Sequence, residues 1–111
     1  MSIAGDLIRG HTDAIILARL LRGDSYGYEI NKTISTLSSG RFELKEATLY
    51  TAFKRLETSG FIASYWGGSD AGARRRYYTI TAAGREACFR LLGEWQETKE
   101  IMDKLLEVEV E

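Results

Sequence analysis

An α+β fold, mostly α, is predicted by three features of this 111-residue chain. Apolar residues recur at helical spacing along most of its length. A single pair of β-prone runs, Phe61–Trp66 and Arg76–Thr81, flanks the glycine-rich segment Gly67-Gly68-Ser69-Asp70-Ala71-Gly72-Ala73, which predicts one two-stranded hairpin. The last thirty or so residues carry apolar positions alternately three and four apart, the repeat of a long helix with a seam along one side.

The elements follow in order. No proline occurs, so glycines and helix caps must punctuate the chain. Ser2–Arg9 reads as a short helical arm. Thr12 or Asp13 is placed to cap a helix through Arg22, whose inner face holds Ile16, Leu17, Leu20 and Leu21. Gly23-Asp24 turns the chain, and Ser25 is placed to cap a second helix from Tyr26 to about Thr36. Its inner positions are Tyr26, Ile30, Thr33, Ile34 and Leu37, and Gly40 breaks it. Phe42-Glu43-Leu44 is short and extended. A third helix begins at Glu46, turns Leu49, Phe53 and Leu56 inward, and ends at Gly60.

After the hairpin, Thr81 is an N-cap candidate for a helix from Ala82 to about Leu106. Acids near its far end oppose the helix dipole and favour fraying there. Cys88, Leu91, Trp95, Thr98, Met102 and Leu105 form its seam, broadened by Leu92, Ile101 and Val108. Two such helices can keep one seam in contact, so homodimerisation is expected; packing against the N-terminal arm is the alternative. The chain accordingly divides into residues 1–81, an arm and a binding domain, and residues 82–111, a dimerisation helix.

Composition narrows the function. Content that is 44% apolar and 28% charged is that of an ordinary globular chain. No apolar run approaches the roughly 20 residues that span a bilayer, and the N-terminus lacks the pattern of a secretory signal. No membrane role and a cytoplasmic location are expected. One cysteine, Cys88, and one histidine, His11, offer neither a disulfide nor a metal cage nor a proton relay. Cys88 reads as a packing residue and His11 as a surface residue at a helix start. Enzymatic chemistry, cofactors and metals are not expected.

Net charge is −1, but it is segregated: residues 1–93 carry 13 Lys/Arg against 9 Asp/Glu, and residues 94–111 carry Lys99 and Lys104 against seven acids. Screening confines exposed charges to a reach of about 8 Å at cellular salt, so the local basic patch matters more than the total. The third helix exposes Ala47, Thr48, Tyr50, Thr51, Lys54 and Arg55, and the second β run opens on Arg74-Arg75-Arg76. A short helix beside an arginine-lined hairpin is the arrangement of a winged helix-turn-helix on double-stranded DNA. Arg and Lys reach guanine edges, Thr meets a thymine methyl, and Tyr bonds a phosphate. Side chains alternate along a strand, so Arg74 and Arg76 share one face and Arg75 takes the other; either set could meet the duplex. The Gly67–Ala73 tip suits a wing that orders on DNA. Dimer symmetry would imply a palindromic operator.

Read together, the motifs resemble the PadR family of bacterial transcriptional regulators over nearly the whole chain. They are Gly23-Asp24-Ser25-Tyr26-Gly27-Tyr28-Glu29-Ile30, Phe42-Glu43-Leu44, Ala47-Thr48-Leu49-Tyr50, Arg55-Leu56-Glu57, Gly60-Phe61-Ile62 and Arg74-Arg75-Arg76-Tyr77-Tyr78-Thr79-Ile80-Thr81 with Gly84. Many members carry proline where this chain has Thr51. The single C-terminal helix resembles the small PadR subgroup. Glu46–Thr51, Ser64-Tyr65-Trp66-Gly67 and the Trp95 region look most like its multidrug-sensing repressors from lactic acid bacteria. That resemblance implies a homodimeric repressor with a pore at the dimer interface, where paired tryptophans stack on flat aromatic ligands. Trp95 would be the stacking residue, and Asp6, Leu7, Asp13, Leu17, Leu91, Thr98 and Lys99 candidates for the wall. An indole there would offer stacking and cation–π attraction, or it could simply fill the seam. Sensing of phenolic acids or another stress metabolite is the alternative within the family. A winged-helix module that binds protein and not DNA is the alternative outside it.

Overall fold

The computed structural model describes residues 3–68 and 74–108. Among the described residues, five helices and three strands run α1 (Ile3–Arg9), α2 (Thr12–Leu21), β1 (Ser25–Tyr26), α3 (Gly27–Leu37), α4 (Glu46–Thr58), β2 (Ile62–Gly68), β3 (Arg74–Ile80) and α5 (Ala82–Leu105). The expected α+β, mostly helical architecture is present. The sheet has three strands where the sequence predicts two. Its order is β1-β3-β2, antiparallel throughout, with Ser25 opposite Tyr78 and Tyr26 opposite Tyr77.

That third strand explains one correction. Ser25 does not cap α3: its backbone pairs with β3, its hydroxyl donates to Glu29 Oε1 at 2.5 Å, and the helix begins two residues later. Capping of α2 also differs. Thr12 already lies within the helix, its hydroxyl donates back to the Arg9 carbonyl at 2.6 Å, and the N-cap position is His11. The near-continuous run of α1 into α2 draws Thr12 into that junction. Thr81 caps α5 as expected, accepting from the Gly84 amide at 3.0 Å.

The core forms where the helical stripes converge on the sheet. Ile16, Leu17 and Leu20 of α2 meet Ile30 and Ile34 of α3, Leu49, Ala52, Phe53 and Leu56 of α4, Ile62, Tyr78, and Ala87 and Cys88 of α5. Each large apolar side chain so buried contributes about 1.5–3 kcal/mol. Leu37, expected inside, is 65% exposed because the last turn of α3 overhangs the core. Phe42 and Leu44 are buried and Glu43 exposed, the alternation of an extended segment.

Two devices set the position of α4. At its start, the Asn31 side-chain amide donates to the Leu44 carbonyl at 2.7 Å and its oxygen accepts from the Leu44 amide at 2.8 Å. Both backbone groups of the segment leading into α4 are thereby tied to α3. At its end, Gly60 takes φ +79°, its amide bonds the Glu57 carbonyl, and the Phe61 amide bonds the Leu56 carbonyl. This left-handed glycine cap turns the chain directly into β2.

The first turns of α5 belong to the same core, through Gly84, Ala87 and Cys88. Beyond Leu92 its seam leaves the core: Trp95 is 43% and Leu105 72% exposed, with Ile101 and Met102 between them in exposure. Among the described residues, no helix is long and apolar enough to cross a membrane.

Candidate nucleic-acid interface

The exposed face of α4 is built by what its other face must bury. With Leu49, Ala52, Phe53 and Leu56 inward, Ala47, Thr51 and Lys54 project outward, and Thr48 is half-buried at one flank. Tyr50 lies at the opposite flank. Its phenol rests on Gly27 of α3, where a Cβ would stand 2.7 Å from the Tyr50 hydroxyl oxygen, and its ring meets Phe53 edge-on at 5.6 Å. Glycine at position 27 therefore lets the two helices close on each other.

The β3 arginines alternate as expected. Arg74 and Arg76 lie on the face that carries α4: Arg74 sits over Trp66 at 5.5 Å, Arg76 over Tyr78 at 5.8 Å, and Tyr78 itself stacks on Phe53. Arg75 points to the other face, 4.8 Å above the Tyr26 ring, where Tyr77 lies between Tyr26 and Tyr65. The strands extend further into the glycine-rich segment than predicted, with Gly67 opposite Arg75 and Gly68 opposite Arg74. The tip itself, residues 69–73, lies outside the described residues.

Two of the candidate cations are already engaged. Arg76 pairs with Glu57 at 3.2 Å, and Glu57 also accepts from Ser64 at 2.9 Å. On the other flank of α4, Arg55 makes a two-pronged bond to Asp13 of α2, Nη2 to Oδ1 and Nε to Oδ2, the latter at 3.3 Å. The hydrogen bond that Arg55 donates to Asp13 pushes its guanidinium up from the ordinary value. The recognition-helix candidate is thus braced to α2 on one side and to the sheet on the other. These pairs leave no pattern along the chain, because their partners stand 42 and 19 residues apart.

Behind the Arg55 pair lies a recess of about 380 Å³ between the α1–α2 junction and α5. Of the residues expected around an aromatic ligand, it brings together Trp95, Asp13, Leu91 and Thr98. Leu17 is a correction: it is fully buried in the core, because the inner stripe of α2 faces α4 and the sheet. Asp6 instead pairs with Arg9, Leu7 is exposed, and neither they nor Lys99 line the recess. His11, read from the sequence as a helix-start surface residue, meets the Trp95 indole edge-on at 5.2 Å, and Arg9 and Glu94 join the wall. A second, apolar groove of about 270 Å³ runs along the other side of Trp95, between Ile8, Ile15, Ala18 and Leu92. No sequence spacing links His11 to Trp95; the turn between α1 and α2 brings them together.

Comparison with known proteins places this arrangement. Residues 16–90 match the family model of the transcriptional regulator PadR-like family. The chain is 46% identical over 105 residues to "Uncharacterized protein X" of Lysinibacillus sphaericus, covering 95% of this chain and 96% of that protein. A transcriptional regulator from Clostridium thermocellum is similar in structure, with a TM-score of 0.86 and 44% identity over 96% of this chain and 100% of the other. A PadR family transcription regulator from Clostridium difficile gives 0.76 and 36% over 87% and 99%. With α4, the arginine strand and the α5 scaffold all inside these matches, the chain belongs to the PadR-like family of DNA-binding transcriptional regulators, which are not enzymes.

Proposed function

We propose that this protein is a homodimeric repressor that places α4 of each protomer in the major groove of a palindromic operator, and that planar aromatic ligands beside Trp95 change its affinity. The observation that carries the reading is the exposed apolar seam of α5. Trp95, Ile101, Met102 and Leu105 extend past the domain's own core, which suits a second copy of the helix. In this reading Thr48, Tyr50, Thr51, Lys54, Arg55, Arg74, Arg75 and Arg76 serve DNA, and Trp95 with Asp13, Leu91 and Thr98 serves the ligand. Half-sites lie about 34 Å apart, so a ligand that alters the seam changes the fit of two recognition helices at once. It does so in proportion to its differential affinity for the two arrangements.

The test is a mobility-shift titration with the protein's own promoter DNA, with and without a planar aromatic that does not intercalate. Unchanged DNA affinity at saturating compound removes the effector role. Sedimentation of the protein alone checks the dimer, and a monomer at micromolar concentration removes that part. Binding of phenolic acids is the second reading, for a recess wall in which Arg9 and Arg55 stand beside Asp13 and Glu94; quenching of tryptophan fluorescence by phenolates but not planar cations, with Trp95→Phe as control, would select it. The protein-binding module predicts no salt-dependent DNA affinity and little effect of Arg75→Ala, so DNA binding that weakens steeply with salt rejects it.

A further inference from the structure

Arg55 stands between two surroundings. Its guanidinium is held by Asp13 at the edge of the Trp95 recess, and the same side chain lines a shallow hollow on the DNA side of α4 with Thr48 and Thr51. It is half-exposed, on the flank of the helix next to Thr51. We infer that Asp13 is a positioning residue for DNA binding, which holds Arg55 off the duplex and yields it to a phosphate when α4 docks. This rests on the reading of α4 as the recognition helix.

The physical case is one of competition. Both partners of the pair are substantially solvated, at 50% and 38% exposure, and exposed ion pairs are worth at most about 1 kcal/mol. A phosphate offers the same guanidinium a two-pronged acceptor of equal geometry, and counterion release adds to the gain. The exchange therefore costs little and can run in either direction. Burial of the pair would have locked it. Asp13 faces Arg55 from α2, while Glu94 of α5 and Arg9 at the end of α1 share the recess wall. An occupant that bonds either member of the pair changes how much Arg55 is available to DNA.

A double-mutant cycle on the full chain tests this with a short mixed-sequence duplex and no small ligand. Its outcome is therefore independent of whether any effector exists. Asp13→Asn is expected to tighten binding roughly two- to fivefold per protomer, the range set by an exposed pair. Arg55→Gln is expected to weaken binding and to lower the slope of log K against log salt by about 0.9 per protomer. Asp13→Asn in the Arg55→Gln background should give no gain. An equal gain in both backgrounds would mean a general charge effect, and weaker binding by Asp13→Asn would mean a purely structural brace; either overturns the inference. Thermal unfolding is followed for each variant, and Asp13→Ser replaces Asp13→Asn should the latter fail to fold. Loss of aromatic-ligand effects with the cycle intact would count against the effector reading alone.

Discussion

The ring of Phe53 on α4 lies against the ring of Tyr78 on β3, centroids 3.9 Å apart and 17° from parallel. Both are buried, so this stack joins the recognition-helix candidate to the arginine strand. Aromatic pairs contribute about 0.5–1.5 kcal/mol beyond the area they bury. Tyr78→Ala is expected to cost about 3–5 kcal/mol, the range for truncating a buried aromatic. Urea denaturation measures it; a loss under about 1 kcal/mol would show that the stack is dispensable.

Among the described glycines, Gly84 leaves the least room for a side chain. A Cβ at position 84 would stand 2.0 Å from the Phe61 carbonyl oxygen, which itself accepts from the Thr81 amide at 3.0 Å. Because the clash is with backbone, Gly84→Ala should destabilise by about 3 kcal/mol. At Gly93, farther along the same helix, a Cβ meets nothing within 4 Å, and Gly93→Ala should stabilise by about 0.5–1 kcal/mol. Melting temperatures moving in the same direction would contradict this pair of expectations.

Asn31→Ala removes both side-chain bonds to Leu44, a residue that is 2% exposed. Leaving buried backbone groups unpaired costs about 1–3 kcal/mol each. The segment that enters α4 would also lose its tie to α3. Faster amide exchange at Leu44 and at the start of α4 is expected, measured by mass spectrometry or NMR. Unaltered protection would place the control of α4 elsewhere.

Acid stability has a definite sign at Asp24. The Tyr65 hydroxyl, which donates to it at 2.7 Å, and then Thr79 hold its carboxyl below the ordinary value of 3.8. A carboxylate lowered in the fold stabilises it above that unfolded value, and the contribution disappears as pH falls through the folded value. Tyr65→Phe removes the largest cause and should make the loss of stability below about pH 4 shallower. Superimposable urea midpoints across that range for the two proteins would argue against the bond.

Burial pushes the Cys88 thiol above its ordinary value of 9.0, and the side chain is fully buried. The thiol is therefore protonated at neutral pH, and thiols react as thiolates. A disulfide reagent should modify the native protein at the rate of unfolding, and the denatured chain immediately. A group raised in this way stabilises the fold below the unfolded value and ceases to as pH rises through the folded one. Rapid native-state modification at pH 7 would show an open path to Cys88.

The helices were legible because each buries one regular stripe, as Leu49, Phe53 and Leu56 do. The wing was legible from its glycine and arginine pattern. Local chemistry misled where a tertiary bond competed for the same group. Ser25 has the chemistry of a cap, yet pairing with Tyr78 takes its backbone and Glu29 its hydroxyl. Resemblance puts Leu17 on a ligand wall, whereas its own helical stripe assigns it to the core, where it is fully buried. The bonds Asp13–Arg55 and Glu57–Arg76 could not be read in advance, because pairing across a fold leaves no periodic trace.

The 24-residue α5 is about 36 Å long at the helical rise, yet its buried side chains end at Cys88. It is anchored at one end and projects from the other. That makes it a lever with its fulcrum near Cys88. A tilt of about 5° about that point displaces Leu105 by about 2 Å at the helical rise. Read in reverse, a partner that grips the free end gains mechanical advantage over the core. Small rearrangements at Cys88 and α2 become large ones where two such arms would cross, and the spacing of whatever the arms carry is set far from the point that moves.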